Sequence, residues 1–239
     1  MIVTIDGPAG AGKSSVAKRL ATQIGFHFLD TGAMYRCVTV ACVRQQLPLT
    51  QFEEVAAIAK SVKIEFRGTL VFMDGEDVSQ EIRRPSITKS IRPIADNVSV
   101  REAMVALQRN WTAGRNVVTE GRDQGTVAFP NAECKIFLTA SPEERARRRV
   151  GQLIELGIDA DYQEILEQQN QRDSHDTDRP SGGLRSAPDS ITVWTDGLSE
   201  EQVLRSLVNI VQRKQEEMST QISTQTSTQT STQTKVDTQ

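Results

Sequence analysis

The chain has 239 residues, 28 Lys+Arg against 31 Asp+Glu, and a formal charge of −3. A basic field that would draw nucleic acid is absent. No apolar run approaches the ~20 residues of a membrane helix, and no basic-then-apolar leader precedes the first strand. Cys37, Cys42 and Cys134 form no CxxC pair, so they read as reduced thiols of a cytoplasmic protein rather than a disulfide or zinc scaffold.

Ile2–Asp6 is a short apolar strand that ends in glycine. Val16, Ala17, Leu20, Ala21 and Ile24 then recur at a helical period over 13–24, and residues 27–29 form a second strand. Residues 116–120, 135–139 and 190–194 supply three more strands. Strands alternating with helices predict an α/β fold with a parallel sheet. Four helix starts carry capping-box spacing: Thr50 with Glu53, Ser99 with Glu102, Ser141 with Glu144, and Ser199 with Gln202. Pro142 follows Ser141 at the favoured first helical position.

Residues 62–75 break the alternation with a period-2 pattern around Arg67-Gly68, which predicts an antiparallel hairpin. The small insert 62–98 is either a decorative excursion or a flap that grips substrate. Residues 1–218 read as globular. From Ser219 the chain repeats a polar Ser-Thr-Gln-Thr unit whose only charges are Lys235 and Asp237, and 219–239 is expected to be a disordered tail.

The strongest motif is Gly7-Pro8-Ala9-Gly10-Ala11-Gly12-Lys13-Ser14, which fits G-x-x-x-x-G-K-[ST] between a strand and a helix. Its glycines let amides turn inward toward phosphate oxygens, and the helix adds its positive end. Lys13 offers a cation to the β/γ-phosphates, and Ser14 offers a hydroxyl to Mg²⁺. The loop predicts nucleoside triphosphate binding, without saying what receives the phosphate. No N-K-x-D element for guanine is found. Arg36, Arg101 and Arg122 fall near strand ends or helix starts, where α/β sheets bind ligands. Guanidinium forks suit a second, phosphate-bearing substrate. The cluster Arg145, Arg147, Arg148, Arg149 and the run from Arg172 to Arg179 flank a polar stretch. That stretch is either a solvated helix face or a lid over the transferring phosphoryl.

Together these stretches resemble the bacterial-type cytidylate kinases of the nucleoside monophosphate kinase superfamily. The resemblance rests on Ile5–Ser15, Leu29–Arg36, Val78–Arg83, Val100–Glu102, Glu120–Val127, Lys135–Leu138, Ser141–Arg149 and Arg172 through Asp176 to Arg179. They occur in family order across nearly all of 1–215 and leave the tail uncovered.

The resemblance implies a P-loop kinase core with a five-stranded parallel sheet flanked by helices. It also implies a small antiparallel insert that binds CMP at 62–98 and a helical lid at 150–180. ATP with Mg²⁺ would lie along Gly7 through Ser15, with the metal at Ser14 and its water shell at Glu120. Arg145 would lie near the adenine and Arg149 near the phosphates. Lys13, Arg149 and Arg172 would be the catalytic cations. Arg36, Arg101 and Arg122 would hold the CMP phosphate or its surroundings. Thr31 would sit beside the base and Asp123 would face the cytosine. Arg101 and Arg179 would complete the base edge, while Arg172 and Asp176 would take the sugar hydroxyls. Two residues depart from the pattern: Arg92, near Ser90, replaces a small hydroxyl residue, and His175 replaces a lid arginine.

The expected function is phosphoryl transfer from ATP to CMP or dCMP by a cytoplasmic monomer, with neither nucleic acid nor membrane as partner. Rival readings are a P-loop kinase with a non-nucleotide acceptor, such as a shikimate-type kinase, and a non-catalytic nucleotide-binding module. The insert and Asp123 count against the former.

Overall fold

A computed structural model describes the backbone of residues 1–233 and the side chains of residues 1–220. Its central sheet is built from β1 (Ile2–Asp6), β2 (His27–Asp30), β6 (Val117–Gly121), β7 (Cys134–Thr139) and β8 (Ile191–Trp194). The order is β2-β6-β1-β7-β8, with every pairing parallel. All five strands expected from the sequence are present, each within about a residue of its expected bounds.

Register sets the active edge of the sheet. Asp6 lies level with Gly121, and Asp30 with Glu120, so the carboxyl ends of the three strands finish together. From β1 the chain runs to one side of the sheet, and after β6 it crosses β1 to the other. That reversal opens a crevice above the β1 carboxyl end, where open α/β sheets take ligands.

Helices cover both faces. On one, α1 (Lys13–Ile24) buries Val16, Ala17, Leu20 and Ala21 beside Ile5 and Ile136, and the first part of α8 (Glu200–Gln233) adds Leu204, Leu207 and Val211. Burial of each valine, leucine or isoleucine among them contributes roughly 1.5–3 kcal/mol. The other face packs α2 (Thr31–Arg44), α3 (Phe52–Ser61) and α5 (Val98–Thr112). All three cysteines are free and buried.

The insert holds more than a hairpin. β3 (Ile64–Arg67), β4 (Leu70–Met73) and β5 (Glu76–Asp77) form a three-stranded antiparallel sheet, and α4 (Pro85–Asp96) follows it. β5 is two residues long, too short to show an alternation in sequence. On the opposite side, α6 (Pro142–Glu155) packs against α7 (Tyr162–Asp178), so the stretch 150–180 is mostly regular helix.

Two of the four expected caps differ. α3 begins at Phe52 behind Gln51 with no side-chain cap, so Thr50 does not serve. α5 begins at Val98 behind Asn97, whose Oδ1 accepts from the Val100 amide at 3.2 Å while its Nδ2 donates to the Phe52 carbonyl at 2.8 Å. That second bond ties the cap to α3 and outcompetes Ser99, which lies inside the helix. Ser141 caps α6, but its own amide donates to Asp196 instead of Glu144. The Ser199–Gln202 box closes in both directions.

The α8 backbone continues past residue 218 to Gln233. Neither glycine nor proline interrupts this stretch, and Ser219 and Thr220 donate back to carbonyls four residues earlier. The tail expected at 219–239 is therefore helical over its first part, and 234–239 lies outside the described residues.

Candidate active site

A cleft of about 1040 Å³ lies over the carboxyl ends of β1, β2 and β6, with α4 on one side and α6 and α7 on the other. The loop from Gly7 to Ser14 forms its base. Gly12 occupies the position just before α1 with φ +86°, a left-handed turn that glycine makes without a Cβ penalty and that aims the first helical amides upward. Lys13 is buried, and its Nζ donates to the Pro8 carbonyl at 2.7 Å, so the lysine folds back over its own loop. Burial first, and then the Arg122 guanidinium, push its pKa down to about 7. Ser14 Oγ donates to Glu120 Oε1 at 2.9 Å. This pairing of hydroxyl and carboxylate oxygens beside a phosphate loop suits Mg²⁺, which prefers few protein oxygens and keeps its remaining positions for water and phosphate.

A second layer crosses the cleft. Arg101, on the first turn of α5, donates to the carboxylate of Asp123, and both are almost fully buried. Arg101 also donates to the Ala95 carbonyl at 3.1 Å and lies over the Tyr35 ring, 5.8 Å from its centroid. Arg122 Nε donates to Asp176 Oδ2 at 2.9 Å, and Arg179 donates to Asp176 Oδ1 at 2.7 Å and to Asp96 Oδ1 at 2.8 Å. Thr31 Oγ1 donates to the Glu120 carbonyl at 2.7 Å, and Arg36 stands 3.9 Å from Asp30. Arg172 faces the open cleft with no hydrogen-bond partner among the described residues. Partial loss of water, then the neighbouring Arg122, lowers its pKa. Lys13 and Arg172 thus both feel Arg122, and the cleft holds excess positive charge that a polyanion would relieve.

Most of the residues singled out in the sequence converge here: Ala9 through Ser15, Thr31, Arg36, Arg101, Arg122, Asp123, Arg172, Asp176 and Arg179 line one cleft. Two do not. Arg145 is buried behind the loop, donating to the Ala9 carbonyl at 3.0 Å and paired with Asp173 at 2.6 Å. Its guanidinium braces the phosphate loop at the Ala9 carbonyl. Arg149 is exposed and donates to Gln152, a residue of the cleft rim, at 3.5 Å. Arg148 lines the cleft instead, with Gly151, Gln152 and Glu155 at i+3, i+4 and i+7. The Arg148 guanidinium is held by Glu144 at 3.1 Å and by the Thr195 hydroxyl at 2.9 Å.

The two departures meet each other. Arg92 Nε on α4 donates to His175 Nε2 on α7 at 3.0 Å, and Asp96 Oδ2 lies 3.2 Å from the same nitrogen. They bridge the two walls of the cleft. Gly182, in the glycine pair that closes the lid stretch, carries φ +65° and packs so closely on Arg101 and Asp123 that a Cβ there would overlap both.

A phosphate loop at the end of β1, an arginine-rich wall opposite it and two helices over both define a P-loop kinase. Residues 3–213 match the family model described as cytidylate kinase. The chain is 51% identical over 211 residues to the cytidylate kinase of Rhodopirellula baltica, spanning 88% of this chain and 92% of that protein. It is 44% identical to that of Caldanaerobacter subterraneus subsp. tengcongensis (88% and 94% covered) and 44% identical to that of Pelotomaculum thermopropionicum (86% and 93%). The chain belongs to the cytidylate kinase family.

Proposed function

We propose that the chain transfers the γ-phosphoryl group of ATP to CMP or dCMP, giving ADP and CDP or dCDP. The observation that carries this reading is the buried Arg101–Asp123 pair in the same cleft as the phosphate loop. A carboxylate beside a guanidinium offers an acceptor next to a donor. Cytosine presents the complement, an N4 donor beside the N3 acceptor, whereas uracil reverses it with O4 and N3–H. The family relationship supports the same acceptor.

The chemistry needs no strong base, because the attacking oxygen of the monophosphate is already anionic. It bonds to the γ-phosphorus as the bond to the β–γ bridging oxygen breaks, and ADP leaves with that electron pair. The transition state is loose, so catalysis is positioning and charge neutralisation. Lys13 and the loop amides hold the donor phosphates, with Arg145 bracing the loop from behind. Arg36, Arg101 and Arg122 hold the acceptor phosphate or its surroundings. Thr31 lies beside the base, Arg179 supports the base edge, and Arg172 with Asp176 takes the sugar hydroxyls. Arg172 and Arg149, neither paired with a carboxylate among the described residues, supply the lid's cations. Ser14 and Glu120 would hold Mg²⁺ together with the nucleotide phosphates, and the ion would supply further neutralisation. The insert 62–98 carries the acceptor side, and the α6–α7 pair closes over the donor to exclude water. We place the protein in the cytoplasm as a monomer acting on small nucleotides, with neither nucleic acid nor membrane as partner.

The test is coupled ADP release with Mg·ATP and a panel of CMP, dCMP, UMP, AMP, GMP and shikimate. Turnover with CMP and dCMP well above the purines and shikimate is expected. ATP binding without acceptor-stimulated ADP release would reduce the protein to a nucleotide-binding module.

A further inference from the structure

Asp6 is a buried carboxylate for which phosphate binding gives no reason. It ends β1 immediately before the loop and lies level with Gly121 of β6. Its Oδ1 accepts from the Gln124 amide at 2.8 Å and its Oδ2 from the Gly125 amide at 2.7 Å. These two amides directly follow Arg122 and Asp123. They open a single π-turn over Gln124–Ala128, a widened turn of the kind that re-aims side chains at functional sites. Both oxygens of one rigidly held carboxylate therefore grip the backbone that presents two cleft residues.

We infer that Asp6 is a positioning residue for the acceptor. By clamping the Gln124 and Gly125 amides it sets where Asp123 and Arg122 stand, and so couples base discrimination to the strand that carries the phosphate loop. The inference deepens the acceptor assignment above and rests on it.

The carboxylate is needed in its ionised form. A carboxamide has one acceptor oxygen and would set its own N–H₂ against one of the two amides. Burial works against ionisation and raises the Asp6 pKa to about 6, even though the two amide bonds favour the charge. Keeping an ionisable group in so unfavourable a place is costly unless the clamp does something a neutral side chain cannot. Gly125 gives an independent handle on the same turn. A Cβ there would stand 2.9 Å from Thr4 Oγ1 and 3.4 Å from Asp6 Oδ2, so Gly125→Ala pushes the turn off the clamp while Asp6 and Lys13 keep their charges.

The experiment compares Asp6→Asn, Gly125→Ala and wild type in full-length protein. It reads KM and kcat for CMP and UMP, the Kd for ATP, and amide hydrogen exchange over 122–126 and 8–14. Misplacement of the reading group predicts a rise in KM for CMP on the order of tenfold and a shrunken CMP:UMP ratio in both variants. ATP affinity should stay within about threefold, and exchange should quicken at 122–126 but not at 8–14. Thr4→Ala combined with Gly125→Ala should recover part of the ratio by making room for the methyl.

Unchanged protection at 122–126 overturns the inference, as does a preserved CMP:UMP ratio. So does a defect seen only in Asp6→Asn and only for ATP, which would mean that the carboxylate acts on Lys13. If wild type fails to turn over CMP, the acceptor reading falls, and the exchange data still decide whether Asp6 holds the turn. Gly125→Ala does the same should Asp6→Asn fail to fold.

Discussion

Arg122, on the turn after β6, and Asp176, on α7, are joined by a 2.9 Å hydrogen bond from Nε to Oδ2. The bond links the helical lid to the strand end that also carries Asp123. Arg179 takes the other oxygen of Asp176 and continues to Asp96 at the end of α4. One carboxylate is thus the meeting point of insert, lid and sheet.

Asp176 should therefore give the fold an acid-sensitive strut. Burial alone would raise its pKa, but Arg122 and Arg179 outweigh burial and hold it below the usual carboxylate value of 3.8. A depressed pKa contributes stability above the unfolded value, and that stability is lost as pH falls through the folded one. Asp176→Asn should cost roughly 3–5 kcal/mol at pH 7, the scale for breaking a buried charge pair. The gap from wild type should narrow as pH drops below about 4. Urea melts at both pH values check this, and a gap independent of pH would remove the ionic account.

Lys13→Met should abolish turnover and spare the fold. The ammonium is buried, and its pKa is pushed down to about 7, so losing its charge relieves the empty protein. Catalysis loses the cation nearest the transferring phosphoryl, for which a fall in kcat of about 10²–10³ or more is expected. Thermal melts should show equal or higher Tm than wild type. Near-normal kcat would mean that the loop does not hold the donor phosphates.

Asp123→Ala should lose CMP more than UMP. Removing the acceptor for N4 should forfeit about 1–3 kcal/mol of discrimination, or roughly 5- to 150-fold in the ratio of kcat/KM values. Because Arg101 would be left buried without its partner, Asp123→Asn is the companion variant, which keeps the volume and one acceptor. Equal losses on both nucleotides would assign Asp123 to folding alone.

Gly182→Ala should act on the same pair from above. The new methyl would overlap Arg101 and Asp123, and the left-handed backbone adds strain of its own. CMP turnover should fall by about 10² or more, the cost of displacing groups by an ångström. ATP affinity, measured by calorimetry, should stay unchanged, since among the described residues no hydrogen bond joins the 180–184 loop to residues 7–14. A parallel loss of ATP binding would locate the damage elsewhere.

What the sequence made legible were features carried by local periodicity or spacing: five strands, the loop from Gly7 to Ser14, and the caps at Ser141 and Ser199. The lid face was equally legible, because Gln168, Gln171, Arg172, His175, Asp176 and Arg179 fall at i, i+3, i+4, i+7, i+8 and i+11 and all face the cleft. What escaped were contacts between distant segments. Arg145 looks like any helix arginine until α6 is seen to pass behind Ala9. Asn97 outranks Ser99 only because Phe52, 45 residues away, offers its carbonyl. Gly182 is an ordinary loop glycine until its backbone meets Arg101.

The two residues that departed from the family pattern yield the last prediction. Arg92 and His175 meet across the cleft mouth, with His175 Nε2 accepting from Arg92 Nε at 3.0 Å. Arg92 is largely exposed, so the bond contributes within about 1 kcal/mol, and single substitutions should leave Tm nearly unchanged. The effect should appear in closure instead. Arg92→Ala and His175→Ala should each raise the KM for CMP a few-fold, about what a lost surface contact of that strength allows. The double variant should be no worse than either single one, because each removes the same contact. The cycle is read from KM for CMP at fixed saturating ATP. Additive effects would show that the two side chains act on substrate independently, and that their meeting across the cleft mouth has no part in holding it closed.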